Sequence, residues 1–384
     1  MIFKVIRKVF LKENKRRYLN LKGIVSKHYA YKGPDVVQID LTDKCNSHCL
    51  VCWEHSLIKE KERETDFCSL DFYKVKDFIR DIAKLGAREV IFSGGGEPFC
   101  YPNIWKVLEW TQLQGLNFHI NTNFTLLGKE EIRELLSFNK LSSLTISLWG
   151  GTFELYSKLH GREEDVFYKL RDNIKFLNQV KPRSLYVKTV AIVNKINYLN
   201  LQDLLDFIAE IGCINIEFGV CDVIPGETDS FLLNKYQLSL LRANFIGLVK
   251  NIKKKRYKIK IVNKERFLKR ISNPSACYGE YDSYVKGTPC YSGWLFLRLR
   301  ANGDFNSCLK SHRIPIGNLY NEGIFSVWNN LLQQKFRRES LCIPKNEEYF
   351  KFIGNGNGDN VGCKRICDNI SVNEYVDKVA RYFL

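Results

Sequence analysis

The chain has 384 residues, 45% hydrophobic and 26% charged, with a formal net charge of +17. That balance excludes disorder as the main state, and no run reaches the roughly 18 apolar residues of a membrane span. Thirteen cysteines without a secretory signal point to metal or redox chemistry in a reducing, cytoplasmic setting rather than to disulfides. The positive excess favours an anionic partner, although a lysine-rich composition accounts for part of it.

Residues 1–33 are a basic N-terminal extension. Ile2, Phe3, Ile6, Val9 and Phe10 line one helical face, with Lys4, Arg7, Lys8 and Lys12 around it. The helix either packs on the domain's own surface or makes peripheral contact with a membrane. After Gly33-Pro34, residues 34–234 alternate predicted strands and helices. Strands fall at Val36–Leu41, Glu89–Phe92, Asn117–Asn121, Leu144–Leu148, Leu185–Ile192 and Ile214–Val220. Helices fall at Leu70–Leu85, Ile104–Gln114, Lys129–Ser137, Thr152–Leu159, Val166–Val180 and Leu201–Ile211. This is an α/β pattern, a partial (β/α)6 TIM-like barrel open on one side, with ligands expected at the C-terminal strand ends.

Residues 235–270 read as a basic helical connector. Residues 271–384 read as a small α+β domain, with a hairpin of Trp294–Arg300 and Asp304–Ser307 turned at Asn302-Gly303 and a loop at Gly354-Asn-Gly-Asn-Gly358.

Cys45-Asn-Ser-His-Cys49-Leu-Val-Cys52 follows the first strand directly. Three thiolates within one short loop can each reach a different iron of a cubane and leave the fourth iron open. Zinc held by the three cysteines with His48 or His55 is the competing reading. The second strand ends in Ser93-Gly94-Gly95-Gly96-Glu97-Pro98, whose small residues permit close backbone approach and whose glutamate supplies an acceptor.

The C-x3-C-x2-C run resembles the signature of the radical SAM superfamily. The resemblance implies a [4Fe–4S] cluster on Cys45, Cys49 and Cys52, with S-adenosylmethionine chelated at the open iron. It implies Trp53 near the adenine, the Gly95-Gly96-Glu97-Pro98 run at the methionine amino group, and Asn121 and Asn123 at the ribose. Ser147 and Lys188 then stand near the carboxylate. The stretch Glu154-Leu-Tyr-Ser-Lys-Leu-His-Gly161 through Asn173–Leu177 also looks like the superfamily's larger subgroup.

Cys290, Gly303 and Cys308, then Ile316-Gly-Asn-Leu319 and Phe325-Ser-Val-Trp328-Asn, resemble the opening of a SPASM/twitch extension. Only Cys363-Lys-Arg-Ile-Cys367 follows, which implies a single auxiliary [4Fe–4S] cluster on Cys290, Cys308, Cys363 and Cys367. Cys277 or Cys342 stands as an alternative to either of the last two. A zinc site or plain core cysteines are the other readings of this set. Cys221 and Cys342 are the candidate hydrogen donors to a substrate radical.

The expected chemistry is hydrogen abstraction by a 5′-deoxyadenosyl radical, ending in oxidation or epimerisation. A flavodoxin- or ferredoxin-like donor would supply the electron. About 35 residues ahead of the first strand are few for a leader-binding domain. That and the charge favour a small anionic metabolite, such as a sugar or nucleotide-sugar. Modification of a peptide or protein (thioether, crosslink or epimer) is the alternative. A non-catalytic iron–sulfur protein that binds nucleic acid or transfers electrons is the alternative of another class; the glycine–glutamate run argues against it.

Overall fold

The computed structural model describes residues 2–56, 67–273, 285, 287–354, 363, 367 and 369–380, with side chains described from residue 13 onward except at 371 and 380. Cys277, most of the 354–358 loop and the side chains of the N-terminal face from Ile2 to Lys12 lie outside that set.

Strands β1 (Val36–Asp40), β2 (Glu89–Ser93), β3 (Asn117–Thr122), β4 (Leu141–Ser147), β5 (Tyr186–Val193) and β6 (Asn215–Val220) pair in sequence order, all parallel. Their alternation is the cause of the layering. Val37, Ile39, Val90, Phe92, Phe118, Ile120, Leu144 and Ile146 are buried in the main core. Gln38, Asp40, Ser93, His119, Asn121, Thr145, Lys188 and Glu217 occupy the alternate positions. The helices carry matching stripes. In Phe72–Leu85, Val75, Phe78, Ile79 and Ile82 are buried; Asp71 caps the start and Gly86, at φ 90°, ends it.

The sheet extends beyond the six predicted strands. The basic connector is two helices, Lys235–Lys254 and Lys264–Ile271, separated by a two-residue strand β7 (Lys260–Ile261) that pairs parallel with β6. At the other edge β8 (Phe296–Leu299) pairs parallel with β1, and β9 (Asp304–Asn306) and β10 (Gly317–Asn318) continue antiparallel. The C-terminal unit therefore shares the barrel's sheet instead of forming a separate layer. Residues 292–295 are a helical turn, so the expected hairpin begins at Phe296.

The N-terminal helix, Ile2–Ser26, docks on this body. A Cβ on Gly23 would lie 2.9 Å from Trp294 Cδ1, and Arg16 donates to the Gly86 carbonyl at 2.7 Å. Over its described side chains the helix packs on the domain's own surface.

Candidate active site

The loop from Leu41 to Ser56 carries the first cysteine set, and other strand-end loops clamp its backbone. The Gly96 and Glu97 amides donate to the carbonyls of Thr42 (3.1 Å) and Lys44 (2.9 Å). Asn123 Nδ2 donates to Asn46 Oδ1 at 2.8 Å, and Asn46 Nδ2 to Thr125 Oγ1 at 2.8 Å. From the helix Phe153–His160, the Leu159 and His160 carbonyls accept from Leu50 (3.0 Å) and His48 (3.1 Å), and Arg162 donates to the Asn46 carbonyl. Cys49 is thus bracketed by two backbone hydrogen bonds.

Burial pushes the Cys45 thiol up to about 12 and the Cys49 thiol well above its ordinary value; Glu97 and Cys52 add to the first, Cys52 and Cys45 to the second. The amides of Glu54 and His55 point at Cys52 Sγ, at 3.4 and 3.2 Å. An apolar collar of Val51, Trp149, Leu159, Cys221, Val223 and Phe231 surrounds the loop. The buried Tyr156 hydroxyl, with no hydrogen-bond partner among the described residues, lies in electrostatic range of Cys49. Among the described residues no three His, Cys, Asp or Glu side chains converge as a single metal ion requires. Soft thiols in a dry collar, with amide donors aimed at sulfur, fit an iron–sulfur cluster.

The glycine run has a cause the sequence did not reveal. A Cβ on Gly96 would sit 2.1 Å from the Lys44 carbonyl oxygen, and one on Gly94, at φ 139°, would sit 2.5 Å from Asp40 Cβ. Gly95 and Gly96 admit the cluster loop itself, and Gly94 admits the end of β1. Glu97 is buried, and its carboxylate accepts from Thr122 Oγ1 (2.6 Å), Asn123 N (2.7 Å) and Phe99 N (3.3 Å). Burial raises its pKa to about 7 against those donors. Glu97 therefore ties three strand ends together; Pro98 begins the short turn that it caps.

The remaining predicted contacts are scattered along the strands. Asn121 donates to Ser93 Oγ at 3.0 Å, and Ser147 closes β4, half-buried. Lys188 lies well below the end of β5 and is paired with Glu217 on β6 at 2.5 Å. That engagement leaves its role at a ligand carboxylate without geometric support. Trp53 Nε1 donates to the Asp222 carbonyl at 2.7 Å, and its ring lies 5.3 Å from Lys310 Nζ.

The second set gathers under the C-terminal segments. Burial raises Cys308 to about 12, with Cys290 and Cys363 adding to it, and raises Cys363 to about 11. Cys363 and Cys367 both pack on Val285 and Ile370. Cys342 caps the helix Leu331–Leu341, exposed, with its thiol on the Arg338 carbonyl at 3.5 Å. Its exposure sets it apart from Cys290, Cys308, Cys363 and Cys367, which are all half-buried. Sequence reasoning missed His160, Arg162, Asp222 and Lys310. Only their neighbourhood gave a signal: His160 and Gly161 end a quoted motif, and Lys310 stands two residues after Cys308.

These features define a barrel with two cysteine sets at its strand ends, one of them built to hold an iron–sulfur cluster. The Radical SAM superfamily model matches residues 39–230, half of the chain, and the SPASM iron–sulfur cluster-binding domain model matches residues 290–349. The chain belongs to the radical SAM superfamily, whose cofactors are a [4Fe–4S] cluster and S-adenosylmethionine; the SPASM domain adds auxiliary iron–sulfur clusters.

It is 27% identical over 130 residues to the AdoMet-dependent heme synthase of Methanosarcina barkeri, covering 33% of this chain and 35% of that protein. It is 21% identical over 305 residues to the Bacillus subtilis subtilosin biosynthesis protein AlbA, covering 77% and 60%. The chain spans about a third to two thirds of such relatives. Its fold matches Streptococcus suis SuiB bound to S-adenosylmethionine at a TM-score of 0.60, with 19% identity over 82% of this chain and 70% of SuiB. SuiB is also solved bound to its precursor peptide SuiA. Among the described residues no helix is long and apolar enough to cross a membrane.

Proposed function

We propose that this protein reductively cleaves S-adenosylmethionine and uses the radical to modify a peptide or protein segment. The observation that carries the reading is the clamped loop of Cys45, Cys49 and Cys52, facing Cys308 through Trp53, Asp222 and Lys310. When bound, the cofactors supply an electron and a 5′-deoxyadenosyl radical able to abstract hydrogen from an unactivated C–H. The chain's residues do the rest. The clamp fixes three thiols on one loop, the collar excludes water, and Glu97 holds the loops that would receive the methionine moiety. Trp53 offers its ring beside that loop. Cys290, Cys308 and Cys363, with Cys367 beside them, would hold one auxiliary cluster that could accept the electron a substrate radical loses on oxidation to product.

AlbA's role in subtilosin biosynthesis and SuiB's complex with a precursor peptide support a peptide over the sugar expected from composition. Net charge +17 keeps an anionic substrate, peptide or small molecule, in view. Cys221, in the collar, remains the candidate for a redox-neutral hydrogen donor; exposed Cys342 has no comparable support. A flavodoxin- or ferredoxin-like donor is proposed for the electron.

The test is anaerobic reconstitution with dithionite and S-adenosylmethionine. 5′-Deoxyadenosine should form, rise with the cognate peptide and vanish in Cys45→Ala. Formation that matches the Cys45→Ala control would sink the proposal.

A further inference from the structure

His160 ends one of the stretches that resemble the superfamily, and its ring lies against the first cysteine set. It ends the helix Phe153–His160 and is fully buried. Its ring is held between Tyr156, stacked at 4.5 Å between centroids, and Trp149, at 4.7 Å. Nδ1 lies 3.3 Å from Cys49 Sγ, and Nε2 lies 3.2 Å from the Trp149 backbone nitrogen.

These two contacts determine the tautomer. A backbone amide has only a hydrogen to offer, so Nε2 must present its lone pair to Trp149. A neutral imidazole has one N–H, which then lies on Nδ1 and points at sulfur. Because Nε2 accepts from that amide, the ring is the neutral imidazole and not the imidazolium. We infer that His160 is a fixed N–H donor to the Cys49 sulfur and thereby raises the reduction potential of the cluster on Cys45, Cys49 and Cys52. The inference rests on the cluster reading above.

The physical reason is electrostatic. Reduction adds negative charge that spreads onto the sulfurs, and a donor aimed at sulfur stabilises the reduced state more than the oxidised one. The apolar collar strengthens the effect, because little water competes for the sulfur. The backbone hydrogen bonds of Leu159 and His160 to Leu50 and His48 lock loop and ring in one register, so the N–H costs no reorganisation when the electron arrives. His160 is a positioning residue in this account; it touches a ligand sulfur and not substrate.

The experiment uses the full chain with His160→Phe, which keeps ring and stack without the donor, and His160→Asn, whose amide restores an N–H near Nδ1. Potentiometric EPR should show a lower midpoint for the first cluster in His160→Phe. At the wild-type midpoint the reduced fraction should fall from half to about a tenth, an equilibrium change of roughly tenfold, or ~59 mV for one electron. His160→Asn should recover most of it, and the auxiliary signal should not move. Pulsed EPR should lose an exchangeable-proton coupling in His160→Phe alone. A wild-type midpoint in an iron-replete His160→Phe protein overturns the inference, as does a shift that His160→Asn fails to restore. Selective 15N-histidine NMR of cluster-free protein should show the Nδ1–H tautomer, the signal being assigned by its loss in His160→Phe. An Nε2–H tautomer overturns the inference even if no cluster assembles. Failure of the wild type to take up iron defeats only the cluster reading.

Discussion

Gly96→Ala tests whether the glycine run exists to admit the cluster loop. The added methyl would stand 2.1 Å from the Lys44 carbonyl oxygen and 2.7 Å from the carbonyl carbons of Asp43 and Lys44, where real contacts stay above 3.0 Å. The obstacle is backbone, so it cannot swing aside as a side chain would. Relief requires the Lys44 carbonyl to withdraw by about 0.9 Å, the difference between those separations. That movement stretches the hydrogen bonds Glu97 N–H to Lys44 O and Gly96 N–H to Thr42 O, now 2.9 and 3.1 Å. Two weakened buried backbone bonds, at about 1–2 kcal/mol each, put the cost on the order of 3 kcal/mol. Cys45 follows Lys44 directly, so its sulfur is displaced as well. Urea denaturation of cluster-free protein should show the loss of stability, and reconstituted protein should retain less iron at the first site. Gly247→Ala is the control: it lies within the helix Lys235–Lys254 with nothing within 4 Å, and should gain about 0.5–1 kcal/mol. A Gly96→Ala protein with wild-type stability and full iron would refute the reasoning.

Two further outcomes follow from the same geometry. Cys308→Ser should lower iron content by about one cluster, roughly four irons, whereas Cys342→Ser should leave iron and sulfide counts unchanged; equal losses from both would return Cys342 to the ligand set. His119 is lowered to about 4, chiefly by burial and then by the charge of Lys188, and bonds Thr145 Oγ1 at 2.8 Å. Its folded value lies below its unfolded one, so the stability it contributes is present above about 6.5 and lost as pH falls through about 4. His119→Gln should remove on the order of 3 kcal/mol of acid sensitivity in that window, read from urea midpoints at pH 7 and 4.5; an unchanged pH dependence would count against a buried neutral histidine.

Much of this was legible in the residues. Alternating burial and glycine-ended helices placed β1 to β6 within a few residues, because each strand has its own apolar face and each helix its own stop. What was not legible depended on partners far away in the chain. Lys260–Ile261 is too short to show a strand period, and Phe296–Leu299 is a barrel-edge strand only because β1 offers it an open side. The spacing of Ser93-Gly94-Gly95-Gly96 could not distinguish a ligand from a neighbouring carbonyl as the reason for glycine. The resemblance set Lys188 near a ligand carboxylate, and nothing in the sequence signalled its pairing with Glu217, 29 residues on. The charge of +17 favoured an anionic partner, but net charge carries no information on that partner's size.

The least legible feature is also the one that joins the two cysteine sets. Asp222 follows Cys221 at the end of β6, accepts from Trp53 through its carbonyl, and pairs through its carboxylate with Lys310. Both members of that ion pair are less than a tenth exposed. Such a pair adds little net stability, since desolvation offsets most of its attraction, and its usual justification is register. Here the register is between the loop that carries Cys52 and Trp53 and the loop that carries Cys308 and Lys310. The pairing of β1 with β8 sets the coarse placement of the two loops, and Arg298 adds to it by donating to Asp40 at 2.7 Å and to the Leu309 carbonyl at 2.5 Å. Asp222 is the contact that reaches Trp53 and Lys310 themselves, so it fixes the approach of the two loops at their tips.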